Sequence, residues 1–359
     1  MYKLETATAA DRAELLAYLQ NAFLTNDPNH PKFETLYPDL FAATDASMAN
    51  HRIIREDGKI VACVGYYPMK VRVGECAMTV YGIGQVSCKP ELRGGGRMTE
   101  LMNDVCDKMD ASGAELAWLS GRRDRYSRFG FESAGTNFHS WIDARSVGEA
   151  EPGWVVEQVQ ASQIERFDAL RRSAAVYEDA PLQIWFERLM RGGKPQRIFV
   201  ASRKGKKKVG AYCLAQAEGG QNVYEWAGEN AGIRAILAHI AKTQGNIAVT
   251  YAPESTDPAA RVFWNASSGI STSVSMLRIC NLDALMKAYA PVLEKRGTNP
   301  ADVAKALKSL KLDRLMLTRL VFGPVAPSVL LSGQAKEPVS RWLDQIFPLP
   351  FILPNLSHV

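Results

Sequence analysis

Apolar residues in the first part of the chain alternate between strand-like and helix-like spacing. The stretch His51–Val73 predicts two strands joined at Asp57-Gly58, a dipeptide typical of tight hairpin turns. A further strand is expected to end near Cys88. Beyond it, apolar residues recur at i, i+3, i+4, i+7 and i+11, the spacing of one helical face. They are Met98, Leu101, Met102, Val105 and Met109.

A repeated feature indicates two similar domains. Hairpins begin at Arg52 and at Arg197, and they reach Gly65 and Gly210 after the same number of residues. Such an echo indicates a duplicated unit, although generic hairpin construction also produces it. The predicted fold class is therefore α/β (α+β), with tandem domains that each contain a mixed sheet.

Changes in composition place the domain boundaries. The stretch 145–153 is mostly polar or small and contains Gly and Pro, which indicates a linker. We therefore expect a first domain at 1–145 and a second at 153–280. Residues 281–359 carry helical apolar spacing and are expected to form a short helical C-terminal region. Its stretch 347–354 is rich in Pro and apolar residues, so we expect that stretch to be packed against another domain.

Composition narrows the functional classes. The 359 residues include 43 Lys and Arg against 38 Asp and Glu, and a net charge of +5 is too mild to indicate a nucleic-acid partner. The six cysteines form no CxxC pair and are expected to be reduced thiols. The five histidines show no metal-ligand spacing, so no metal is expected. Because neither a signal peptide nor a membrane-spanning run is recognisable, we predict a cytoplasmic protein without a membrane partner.

The most informative segment is Val86–Val105, which predicts a strand, a loop and a helix. Three consecutive glycines at 94–96 open the helix, between Arg93 and Arg97. Backbone N–H groups at a helix start favour an anion, and arginine suits phosphate oxygens. The spacing differs from a Walker loop and from the GxGxxG fingerprint. The segment therefore predicts a phosphate site, with a flexible turn and solvated arginines as the alternative.

This segment resembles motif A of the GNAT acetyltransferases, which holds the pyrophosphate of acetyl-CoA. Downstream, Ser120–Phe131 resembles motif B of that family, with its Tyr-x-x-x-Gly-Phe ending. The two motifs stand in the family's order, although Met98 departs from the last position of motif A. The resemblance implies acetyl-CoA as co-substrate. The residues that it implies for cofactor binding are Val86, Ser87, Cys88, Arg93, Gly94, Gly95, Gly96, Arg97, Met98, Gly121 and Arg122.

The chain as a whole is similar to the enhanced intracellular survival (Eis) acetyltransferases. That likeness implies a second GNAT-like domain without the CoA loop and a truncated sterol-carrier-like C-terminal region. In that family a motif-B tyrosine is the general acid and the C-terminal carboxylate is the base. The resemblance implies that Tyr126 is the acid and that the α-carboxylate of Val359 is the base, although the tail lacks the family's aromatic ending. Asp27 follows the first helix, where GNAT folds line the acceptor cleft, and is expected to contact an ammonium group or to form a turn.

The implied function is acetyl-CoA-dependent N-acetylation of a primary amine on a small molecule or a peptide. Simple packing of Tyr126 and a frayed end at Val359 are the alternatives to catalytic roles. A non-catalytic acyl-CoA or lipid-binding module, a structural or interaction protein, and an acyl- or aminoacyltransferase on tandem GNAT units stay open. The sequence does not identify the acceptor and leaves open a homo-oligomer.

Overall fold

The computed structural model describes residues 2–24, 29–191, 196–217, 221–251, 268–272, 275–353 and 357. Its strands form two mixed sheets, which confirms the α/β (α+β) class. In order of pairing, the first sheet contains β1 (Lys3–Thr6), β2 (His51–Glu56), β3 (Lys59–Val73), β4 (Cys76–Cys88), β5 (Leu116–Leu119), β15 (Met276–Ile279) and β6 (Glu132–Ser133), and β9 (Val176–Glu178) pairs with β3. The second contains β14 (Ser268–Thr272), β7 (Thr136–Ile142), β13 (Ile247–Tyr251), β12 (Gln221–Gly228), β11 (Val209–Ala217), β10 (Gln196–Arg203) and β8 (Trp154–Val159).

The two sheets repeat one strand order. The order β1-β2-β3-β4-β5 in the first corresponds to β8-β10-β11-β12-β13 in the second. In each sheet the last of these pairs is parallel and is connected by a 15-residue helix, α4 (Arg97–Ala111) or α9 (Asn230–Gln244). The chain therefore contains two units of one architecture in tandem.

The two units exchange one strand reciprocally. Strand β7 directly follows β6 in the chain but pairs with β13 and β14 of the second sheet. Strand β15 follows β14 but pairs with β5 and β6 of the first sheet. The sheet pairing thus crosses the predicted boundaries, because β7 lies within 1–145 and β15 within 153–280. A short strand pattern specifies a strand but not the sheet that it joins.

Helices cover the faces of the sheets. As predicted, the apolar stripe of α4 faces inward, with Leu101, Met102, Val105 and Met109 buried. A capping box at Thr8 and Asp11 opens a short 3-10 turn before α1. The other helices before residue 281 are α1 (Arg12–Leu24), α2 (Phe33–Leu36), α3 (Asp45–Met48), α5 (Arg123–Tyr126), α6 (Ala144–Val147), α7 (Asp168–Arg171) and α8 (Leu182–Leu189).

The C-terminal region packs on the first sheet. From 281 to 353 every regular element is a helix: α10 (Leu282–Ala288), α11 (Ala290–Lys295), α12 (Pro300–Ser309), α13 (Arg314–Phe322), α14 (Pro327–Leu330) and α15 (Glu337–Ile346). Their apolar side chains share one core cluster with β3, β4, β5 and β15. As predicted, the tail is packed: Phe347, Leu349, Phe351 and Leu353 are buried in this cluster. The sterol-carrier likeness of this region stays a prediction.

None of the helices in the described ranges combines the length and the apolar character that crossing a bilayer requires.

Candidate functional site

The site lies where the parallel strands β4 and β5 part. Their ladder joins Val80–Gly82 to Leu116–Trp118. Beyond it β4 continues to Cys88, whereas β5 ends at Leu119. Such an opening at the carboxyl ends of parallel strands is a usual place for a ligand. The two segments that the sequence singled out, residues 86–98 and 120–131, follow these two strand ends.

A bulge bends β4 near its carboxyl end. The pairing of β3 with β4 shifts between Cys63 and Gly65, and Gln85 has a φ of 51°, a conformation uncommon for residues other than glycine. Immediately after the bulge, Val86 and Ser87 are half-buried and Cys88 is buried. The bulge therefore sets the direction of the strand segment that was predicted to bind acetyl-CoA.

A buried polar relay holds Gln85. The Nδ1 atom of His51 lies 3.2 Å from the Met48 carbonyl oxygen, and its Nε2 atom lies 2.9 Å from the Tyr67 hydroxyl. That hydroxyl has one proton, which it donates to Oε1 of Gln85 at 2.5 Å. Burial lowers the pKa of His51 to about 4, so the ring is neutral. Gly65 makes room, since a Cβ atom there would lie 2.2 Å from the Tyr67 hydroxyl oxygen.

The glycine loop presents an anion cradle at the start of α4. Gly94 and Gly96 have φ values of 81° and 79°, and Gly96 is the N-cap of the helix. All three glycines are exposed. Among the backbone hydrogen bonds of the described chain, none is donated by the amides of residues 94–98. Free amides at the positive end of a helix dipole fit a pyrophosphate, as the sequence predicts.

The two arginines of this loop differ in their surroundings. Arg93 is exposed, with its Nε atom 3.4 Å from the Cys88 carbonyl oxygen. Arg97 instead donates through Nη2 to both carboxylate oxygens of Glu56, at 2.9 and 3.0 Å, and stacks on the ring of Tyr2 at 5.1 Å. This pairing braces the loop against the first sheet. Arg93 is therefore the better-placed cation for a phosphate, and a phosphate contact by Arg97 stays a prediction.

Tyr126 stands beside Gly121, and the structure brings these two predicted residues together. A Cβ atom at Gly121 would lie 2.5 Å from Cε2 of Tyr126. The Tyr126 ring is half-buried, and its hydroxyl makes no hydrogen bond to any described residue. Burial raises its pKa, so the hydroxyl stays protonated through the neutral range. Arg122 is exposed and pairs with Asp124 at 2.7 Å.

One apolar cluster connects the two segments. Val86 and Met98 from the first segment and Tyr126 from the second pack against it, and Cys88 and Leu119 are members. The strand end, the helix start and the tyrosine are thereby fixed to a common core.

Sequence reasoning missed Tyr18. This residue of α1 is buried beside Ser87, yet its hydroxyl lacks a hydrogen bond of good geometry within the described ranges. Burial raises its pKa. Helical spacing alone marks Tyr18 only as a core residue next to Leu19, so no sequence signal distinguishes it.

A second missed feature is a buried charge network that receives the end of the chain. Ser357 is buried and donates its hydroxyl to Glu178 at 2.5 Å. Glu178 also pairs with Arg188, whose Nε atom donates to Asp39 at 2.9 Å. Asp39 accepts from Arg191 at 2.7 Å as well. The predicted residues Asp27 and Val359 lie outside the described residues.

Between β12 and α9, the described chain of the second unit contains no counterpart of this cradle. Strand β12 ends at Gly228, and α9 begins after a single residue, Glu229. After the bulge of β12, Glu225 pairs with Leu214, as Ser87 pairs with Cys63 in the first unit. Glu225 is buried, accepts a 2.7 Å hydrogen bond from Tyr212, and has its pKa raised by burial to about 7. The place of a ligand is thus filled by side chains.

A metal centre has no candidate in the described part of the chain, where no three His, Cys, Asp or Glu side chains cluster as ligands.

Comparison with protein families finds one match, in the first unit. Residues 3–134 match the family model described as an acetyltransferase (GNAT) domain. None of the curated proteins compared with the chain matches it.

Solved structures share the architecture. A conserved protein from Enterococcus faecalis V583, titled "Probable N-Acyltransferase", is 16% identical, with a TM-score of 0.61 over 81% of this chain and 75% of that one. A GCN5-related N-acetyltransferase from Anabaena variabilis ATCC 29413 is 18% identical, with a TM-score of 0.59 over 80% and 75%. Eis1 from Mycobacterium abscessus is 14% identical, with a TM-score of 0.57 over 80% and 76%. At these identities the likeness is one of fold.

Proposed function

Because residues 3–134 match an acetyltransferase (GNAT) domain, we propose that the protein transfers an acetyl group from acetyl-CoA to a primary amine. One observation carries the proposal. A half-buried tyrosine with a free hydroxyl, Tyr126, packs on the same apolar cluster as Val86 and Met98, which flank the anion cradle. This shared cluster supports a proton donor and a phosphate site that act on one bound donor molecule.

The donor is held along β4 and α4. Backbone groups of Val86 and Cys88, with Ser87 between them, pair with the pantetheine arm. The amides of 94–98 and the Arg93 side chain bind the pyrophosphate, and Arg97 braces the loop through Glu56. Gly121 and Arg122, which follow the end of β5, bind the donor from the opposite side. An arginine with an exposed partner, as Arg122 has in Asp124, is able to exchange that partner for phosphate.

The chemistry requires one proton acceptor and one proton donor. An alkylamine is mostly protonated at neutral pH, since its pKa is about 10.4, and it must lose a proton before it attacks the thioester carbon. The base takes that first proton, which passes to solvent. After the attack the nitrogen of the tetrahedral intermediate loses a second proton, the C–S bond breaks, and the Tyr126 hydroxyl donates its proton to the departing sulfur. Because burial raises the pKa of Tyr126, the hydroxyl is protonated when needed, and the second proton from the nitrogen restores it.

The base in this proposal is the α-carboxylate of Val359, acting directly or through water. The anchoring of Ser357, two residues earlier, to the Glu178–Arg188–Asp39 network supports it. That network lies within electrostatic reach of Tyr67, whose hydroxyl contacts Gln85 in the bulge of β4. Asp27 is proposed to contact the ammonium group of the acceptor.

In this proposal each unit comprises the strands of one sheet, so its boundaries differ from those predicted from the sequence alone. The first unit carries the site, and the second lacks the cradle and binds no CoA. The acceptor is a small-molecule or peptide amine, the compartment is the cytoplasm, and no metal or nucleic acid takes part. A homo-oligomer is compatible with this scheme.

The deciding experiment is a thiol-release assay with acetyl-CoA over a broad amine panel, run on the native chain and on Tyr126→Phe. We expect amine-dependent release that falls strongly in the variant. Acetyl-CoA binding without release for any amine favours a non-catalytic acyl-CoA or lipid-binding module. Preference for a longer acyl or an aminoacyl donor favours the acyl- or aminoacyltransferase alternative.

A further inference from the structure

Arg278 joins the exchanged strand to the turn that follows Tyr126. It lies on β15 and is only 4% exposed. Its Nε atom donates to the carbonyl oxygen of Phe129 at 2.9 Å. Its Nη1 and Nη2 atoms donate to the two carboxylate oxygens of Asp110 in α4, at 2.5 and 2.8 Å. A single guanidinium therefore connects the helix of the anion cradle with the Tyr126 segment.

The Phe129 carbonyl oxygen lies at the end of the 3-10 turn that directly follows Tyr126. Helix α5 ends at Tyr126, and a 3-10 turn, Ser127–Phe129, follows at once. The N–H group of Phe131 donates back to the Tyr126 carbonyl oxygen at 3.4 Å. The Phe129 oxygen has, besides Arg278, only a weak contact from the Cys106 thiol at 3.8 Å among the described residues. Without Arg278 this buried carbonyl would lose its strong donor.

Arg314 provides a natural comparison, because it shares one partner of Arg278 but not the other. It lies in the C-terminal helix α13 and donates to both oxygens of Asp110 at 3.1 Å. No hydrogen bond joins it to Phe129 within the described residues. Arg314 also lies against Gly130, but through its aliphatic stem, which a methionine retains, so Arg314→Met removes only the ion pair with Asp110. The two arginines thus separate the effect of the Asp110 ion pair from the effect of the hydrogen bond to Phe129.

From this arrangement we propose that Arg278 is a positioning residue for Tyr126. The proposal rests on the proposed function, in which Tyr126 protonates the leaving sulfur. Arg278 reaches the turn because β15 has crossed from the second unit into the first sheet. The second unit, which has no cradle of its own, would then act on the reaction by fixing the proton donor of the first unit.

The test compares Arg278→Met and Arg278→Lys with Arg314→Met in the full chain. We expect Arg278→Met to lower kcat about tenfold to a hundredfold, the usual cost of a donor displaced by about an ångström, with little change in KM for acetyl-CoA. Arg278→Lys retains the charge and should recover part of the loss. Arg314→Met should leave kcat within about twofold. If Arg278→Met does not fold, Arg278→Lys takes its place in the comparison with Arg314→Met.

Combination with Tyr126→Phe separates positioning from general damage. If Arg278 acts through Tyr126, either Arg278 variant in the Tyr126→Phe background should cause no further loss of kcat. Losses that multiply, or an Arg314→Met loss equal to that of Arg278→Met, would overturn the proposal. If Tyr126→Phe itself turns over normally, the catalytic role of Tyr126 fails first, and that result is distinguishable from additive losses.

Discussion

The ring of Tyr126 lies directly on Gly121, where a Cβ atom would come within 2.5 Å of Cε2 and 2.7 Å of Cδ2 of the tyrosine. Any larger residue at 121 must therefore push the ring aside. We predict that Gly121→Ala lowers kcat by about tenfold or more while acetyl-CoA affinity changes little. Steady-state kinetics with calorimetric titration of acetyl-CoA measure the two effects separately.

Two further variants serve as controls for this prediction. Tyr126→Phe removes the hydroxyl with little loss of volume and should lower kcat by roughly 10² to 10⁴-fold, the usual contribution of a general acid. Ser120→Ala, at the exposed neighbour of Gly121, should be nearly silent. A Gly121→Ala enzyme with native kcat would mean that the ring position is unimportant for turnover.

The anion cradle offers a matched pair of glycines. Gly96 and Gly113 flank α4, have the same φ of 79°, and have open space around the site of a Cβ atom. We predict that Gly96→Asp weakens acetyl-CoA binding by more than about tenfold, because it adds a negative charge beside the phosphates. Gly113→Asp introduces the same charge and backbone strain at the far end of the helix. Equal acetyl-CoA affinity of the two variants in calorimetry would show that the phosphates do not bind at this loop.

The second unit should bind no donor, so titration should give one acetyl-CoA per chain. The direct connection from β12 to α9 through Glu229 leaves no cradle there. Glu225 and Tyr212 occupy the corresponding place after the bulge of the strand. Two bound molecules per chain by calorimetry, or one that survives Gly96→Asp unchanged, would contradict this assignment.

Neutral buried His51 should make stability depend on pH. Burial lowers its pKa from 6.5 to about 4 in the folded protein, so the unfolded chain binds the extra proton at higher pH. The free energy of unfolding should therefore fall as pH drops from about 6.5 towards 4, by roughly 3 kcal/mol in all for this group. Urea unfolding across that range measures the fall. In His51→Phe the slope should be smaller, and an unchanged slope would assign it to other groups.

Much of the structure around the glycine loop and Tyr126 could be predicted from the sequence because it is local. The apolar spacing of α4, the glycines at its start and the Gly-Phe ending of the Tyr126 segment are fixed by residues a few positions apart. The different hydrogen-bond partners of Arg93 and Arg97 could not be predicted. Arg97 is held by Glu56, which is distant in the chain, and nothing in the loop itself marks that partner.

The strand exchange was beyond sequence reasoning for a related reason. The sequences of β7 and β15 indicate strands but do not specify which of the two sheets each strand joins. Which edge each strand joins depends on partners more than a hundred residues away, such as Asp110 for Arg278. Residues 145–153 have the composition of a linker, but they follow β7, the strand with which the chain passes from the first sheet to the second.

The last prediction concerns the end of the chain as given. Ser357 ties the tail to Glu178, within a network that also holds Asp39 and Arg188. If the Val359 α-carboxylate is the base, two or three residues added after it should lower kcat by about 10²-fold, since the carboxylate is displaced. Donor affinity should persist, because the 94–98 loop is untouched.

Side-chain variants of the tail distinguish the charge from its packing. Val359→Ala keeps the α-carboxylate and should cost less than about threefold in kcat, because only apolar contact is reduced. Ser357→Ala removes the hydrogen bond to Glu178, and its loss of kcat should lie between that of the extended chain and that of Val359→Ala. Ser357→Thr retains the hydroxyl, so kcat should recover in that variant. The pH profile gives a further check, since loss of a base should shift activity towards higher pH, where more of the amine is already neutral. An extended chain with native kcat would show that the terminus only packs, and that water or another cleft residue takes the proton.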